Sequence, residues 1–82
     1  MTGETSIMNL MNLIAVNTGE KIHDIYTYET RTPAKAAKLR DLLIKAGFKV
    51  QLGADTERRE PVVILYVHKI SHSAFRFIRE AM

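Results

Sequence analysis

Cysteine is absent from all 82 residues. That excludes a disulfide framework, a thiolate nucleophile and a cysteine-held zinc ion, and it agrees with a reducing compartment. Glycine occurs only at Gly3, Gly19, Gly47 and Gly53. These positions are too scattered to build a phosphate cradle, and each reads as a turn, a cap or a terminal residue. No apolar run is long enough to span a bilayer. The stretch 7–16 follows Glu4 in place of a basic segment and is broken by Asn9 and Asn12, so it does not read as a secretory signal either. The expectation is a soluble, cytoplasmic protein.

Catalytic patterns are missing too. Ser71, His72 and Ser73 are sequence neighbours with no nucleophile elbow around them. His68 and His72 lie four apart, but no glutamate follows His68 and no third ligand is in sight, which is a thin basis for a metal. Local hydrogen bonding or exposure accounts for both. The chain therefore reads as non-catalytic, without cofactor or metal.

What is present is an apolar fraction of 46% in a short chain, enough for one small core and too much for disorder. One α+β domain over 1–82 is expected, with 1–6 as a flexible lead. The net charge of +3 is unevenly spread: residues 1–32 balance at −2 and the remainder at +5. An electrostatic direction of this kind favours an anionic partner.

The clearest element opens at Thr32 and Pro33. Thr32 suits an N-cap, and Pro33 suits the first helical position, where its missing donor costs nothing. Ala36, Leu39, Leu43 and Ala46 then recur at helical spacing, predicting a helix over 33–46. Gly47 supplies a left-handed stop, and Phe48 can fold back on Leu43. Phe48, Val50 and Leu52 alternate with Lys49 and Gln51, as in a strand with one wet face. Residues 53–61 read as a charged loop, and 62–67 as a central strand buried on both faces. Ser71 or Ser73 caps a last helix that buries Ala74, Phe75, Phe77, Ile78, Ala81 and Met82 against an outer face of Arg76, Arg79 and Glu80.

Before all of these, Asn17, Thr18 and Gly19 separate two apolar-rich segments. A hairpin of 7–16 with 21–31 pairs Ile14 with Ile22, Leu10 with Tyr26 and Met8 with Tyr28. The rival is a helix over 7–16 ended by the same glycine. With the hairpin, the order is strand, strand, helix, strand, strand, helix: a four-stranded, mainly antiparallel sheet with two helices on one face.

Lys35, Lys38 and Lys45 take the exposed side of the 33–46 helix, and Lys49 extends them. Such a stripe is either a phosphate-contacting face or plain solvated surface. Arg31 and Lys35, beside the free N–H groups of the helix start, suit an anion. Arg58 and Arg59, in the charged loop, are residues that grip carboxylates of an acidic protein surface. Tyr26, Tyr28 and Tyr66 offer base stacking only if they emerge on the open sheet face, and packing is the commoner fate. A sheet edge can take a strand from another chain, including a second copy, and Met8, Leu10 and Met11 suit an interface. The function expected from all this is a small protein-binding module, a regulator or inhibitor of a larger protein. Accessory proteins of mobile elements are the analogue in size. A nucleic-acid-binding domain using the helix at 33–46 is the alternative.

Overall fold

Pro33 presets its own φ and needs no hydrogen-bond acceptor, so the chain turns into helix α1 (Pro33–Lys45) there. The computed structural model describes Ala15 and residues 17–82. Thr32 holds the N-cap position in an extended conformation, but its hydroxyl makes no cap bond. Its amide instead donates to Thr30 Oγ1 at 3.2 Å. At the other end the expected cap forms. Gly47 takes φ +98°, Phe48 N–H donates to Leu43 O at 3.0 Å, and Gly47 N–H donates to Ile44 O at 2.9 Å. These two bonds are a Schellman motif, and Leu43 and Phe48 enter the same buried cluster.

Three strands accompany it: β1 (Ile22–Thr30), β2 (Val50–Asp55) and β3 (Val62–Ser71), followed by helix α2 (His72–Glu80). The sheet order is β1-β3-β2, and β3 is antiparallel to both neighbours. β1 and β2 therefore run parallel, joined by a crossover through α1 that leaves one vacant position into which β3 folds back. In β3, Val63, Leu65 and Val67 face the helices. Their neighbours Tyr26 and Tyr28 on β1 and Val50 on β2 share that side, and together with Ala36, Leu39, Leu43, Phe75 and Ile78 they form the core. Both helices thus cover one face of the sheet.

The α+β class holds, with corrections of detail. Among the described residues the sheet has three strands, not four. The segment 7–16, the lead 1–6 and the Met8, Leu10 and Met11 patch lie outside the described residues, except for Ala15. Ala15 and Asn17 are helical, and Gly19, at φ +79°, ends that turn with Glu20 N–H donating to Ala15 O at 2.8 Å. The left-handed glycine is as expected, but it closes a helical turn, as in the rival reading, and not a hairpin.

β2 runs on through Gly53 to Asp55, where a loop was expected, because Gly53 pairs with Ile64 and leaves room for a ring. A Cβ there would stand 2.9 Å from Tyr66 Cε2. β3 is central, but it is not buried on both faces throughout: Leu65 and Val67 on the helix-facing side are fully buried, whereas Ile64, Tyr66 and His68 on the other side are half-buried. Phe77 of α2 is 68% exposed, and Ala81 and Met82, beyond its last residue, are also outside the core. The helical phase explains it: Ala74, Phe75 and Ile78 point to the sheet and Phe77 falls on the flank.

Candidate functional site: the β1 edge and the basic surface

β1 is held to the molecule from one side. β3 pairs along its inner edge from Ile22 with Ser71 to Thr30 with Val63, and no strand lies along its outer edge among the described residues. The nine residues contain no proline, glycine or lysine, the usual means of blunting such an edge. β2, the opposite edge, is shorter and interrupted by Gly53.

Alternation gives β1 two faces. Tyr26 and Tyr28 point to the helices, where Phe75 stacks on Tyr26 with 4.5 Å between centroids and tilts against Tyr28 at 5.4 Å. The tyrosines are packing residues, as the commoner fate predicts. Tyr26 OH also hydrogen-bonds His72 Nδ1 at 2.7 Å. On the open face stand Ile25, Thr27 and Glu29, and Ile25 is 52% exposed. Tyr66 reaches this face too, but its ring lies against Gly53. His68, beside Ile25, has a buried Nε2 with no hydrogen-bond partner among the described residues.

The acidic side chains of β1 are engaged within the fold. Asp24 pairs with Lys69 at 2.5 Å, and this contact holds the Asp24 carboxyl below its ordinary value. Glu29 receives both terminal nitrogens of Arg58 at 2.8 and 3.0 Å, while Arg58 Nε donates to Asp55 Oδ2 at 2.9 Å. One guanidinium therefore joins the two outer strands across β3, and these bonds raise its pKa further. Arg58 was singled out as a gripper of partner carboxylates, and it grips two of its own. Arg31 pairs with Glu60 at 2.5 Å. Arg31, Arg58 and Arg59 line one shallow cleft with Glu60 and Val62. Arg59 has no ion pair among the described residues.

The lysines are different. Lys35, Lys38, Lys45 and Lys49 are all exposed, and none forms an ion pair among the described residues. Lys38 and Lys45 border a shallow depression with Asp41, Leu42 and Ile44, and the Asp41 carboxylate is engaged by Arg40 at 3.1 Å. Spacing alone revealed this stripe.

At the start of α2 the expected serine cap forms at Ser71, but the part played by Glu20 was missed by sequence reasoning. Glu20 accepts from Ser73 N–H at 2.6 Å and from the Ser73 hydroxyl, while Ser71 Oγ accepts from Ala74 N–H at 3.1 Å. Two of the free N–H groups at the helix start are thereby satisfied. The Ser73 bonds, followed by the nearby His72 and His23, hold the Glu20 carboxyl below its ordinary value. Also missed was Arg79, whose guanidinium lies 5.8 Å over the Tyr28 ring. The available signal was its spacing of four from Phe75, which places both on the β1 side of α2.

Among the described residues no group of His, Asp or Glu suits a metal ion, and no helix is long and apolar enough to cross a membrane. Comparison with protein families, with characterised proteins and with solved structures finds no match.

Proposed function

We propose that the protein is a small non-catalytic binding module that engages another protein through the outer edge of β1, acting as a regulator or inhibitor of that partner. The observation that carries this reading is the edge itself: nine residues without proline, glycine or lysine, with a half-exposed isoleucine among them. Unpaired backbone N–H and C=O groups along a strand recruit an extended segment by main-chain hydrogen bonds, and adjacent side chains select its sequence. The test is amide exchange on a complex recovered with the purified protein as bait. Exchange along β1 that slows relative to the isolated protein supports the reading; a complex in which β1 exchanges as fast as before places the contact elsewhere and sinks it.

The unpaired lysines favour a second reading, in which α1 and Lys49 contact the phosphates of a nucleic acid. Fluorescence anisotropy with labelled single- and double-stranded DNA and RNA at two salt concentrations decides it. Salt-sensitive binding supports the reading, and no binding at low salt removes it.

A further inference from the structure

We infer that the segment taken up by β1 is acidic and extended, with carboxylates alternating with apolar side chains. The inference rests on the edge-binding reading above and names the chemistry of its partner.

The charge around the edge motivates it. Both carboxylates of β1 are already held inside the fold, Asp24 by Lys69 and Glu29 by Arg58. The cations beside the edge are not matched in this way. Lys21, the residue before β1, exerts a through-space pull on Asp24 and has no ion pair among the described residues. Arg79 sits over the Tyr28 ring with no carboxylate partner among the described residues. An arriving strand therefore meets cations that have no ion-pair partner among the described residues and acids that are already paired, and such a field favours anions over cations.

Geometry turns this attraction into a pattern. Side chains of an added strand alternate between the two faces of the sheet. Those on the helix side lie beside Tyr28, where Arg79 stands, and a carboxylate there accepts a charge-assisted hydrogen bond from the guanidinium. Those on the open side lie beside Ile25, which is half exposed and offers apolar contact. Acid on one face and aliphatic on the other is a period of two, which a strand satisfies and a helix does not.

The probes are two blocked peptides of equal length, one alternating Glu with Val and the other Lys with Val, titrated into the full chain and followed by NMR and amide exchange. The Glu–Val peptide is expected to slow exchange along Ile22–Thr30 and to bind about tenfold or more tightly than the Lys–Val peptide. Arg79→Gln should reduce that preference severalfold and Arg79→Lys should keep most of it, while Ile25→Ser should weaken the Glu–Val peptide without changing the charge preference. Thermal melts of each variant separate lost binding from lost folding. Equal binding of both peptides at β1 would overturn the acidic preference and leave edge binding standing. No effect of either peptide on β1 would overturn the preference together with the edge reading. Protection of β1 that rises with protein concentration alone would replace the acidic segment with a second copy of this chain.

Discussion

At Gly47 the backbone adopts φ +98°, where a Cβ meets the neighbouring carbonyl, and two cap bonds depend on that turn. Replacing Gly47 by valine should lower the unfolding free energy by about 1–2 kcal/mol or more, read from urea denaturation, with the midpoint shifted and the slope unchanged. Gly53 is constrained for another reason: Tyr66 Cε2 occupies the space of its missing side chain. Gly53→Val should cost about 1–3 kcal/mol through overpacking. Tyr66→Ala combined with it should cost less than the sum of the two changes, because the clash is shared; strict additivity in the double-mutant cycle would refute the contact. The two glycines also mark what was readable beforehand. Gly47 announces itself because its reason lies within five residues, between Leu43 and Phe48. Gly53 read as the start of a loop because its reason is a ring thirteen positions away, brought near only by the pairing of β2 with β3.

Among the elements, α1 was legible because every signal is local: a proline at its start, four apolar residues at helical spacing and a glycine at its end. The N-terminal segment was harder, since apolar side chains at 7–16 satisfy both a strand and a helix, and Gly19 ends either one. Phe77 misled for a similar reason, because its place on a flank of α2 depends on where the sheet lies. The start of α2 combines near and distant parts. Ser71 caps it from the adjacent residue, whereas Glu20 reaches Ser73 from a position before β1. Because the fold depresses the Glu20 pKa, its contribution is present above the unfolded carboxylate value, about 4.3, and is lost as pH falls through the lower folded value. Glu20→Gln should therefore be less stable than the parent at neutral pH, with the difference shrinking as pH falls from about 4 downward. Melting curves across that range check it, and a gap that stays constant would separate Glu20 from the acid response.

Charge and topology act on the scale of the whole molecule. If the α1 lysines contact phosphates, replacing Lys35, Lys38 and Lys45 together by glutamine should reduce the slope of log affinity against log salt by about 2–3 for a duplex, at about 0.9 per phosphate contact. An unchanged slope would leave the stripe as solvated surface. The basic stripe was evident from spacing, but the site proposed on β1 was not, since an edge is defined by which strands are neighbours. That order places β3, the last of the described strands in sequence, in the middle of the sheet, with β1 and β2 on either side of it and bridged by Arg58. As the chain leaves the ribosome, residues up to 61 carry two strands whose partner among the described residues, β3, has not yet emerged. The fold cannot be built outward from its beginning, and it closes only when 62–71 emerge and slot between strands already made. Until then the inner edge of β1 lacks β3, and another nascent chain can compete for the position that β3 fills in the finished protein.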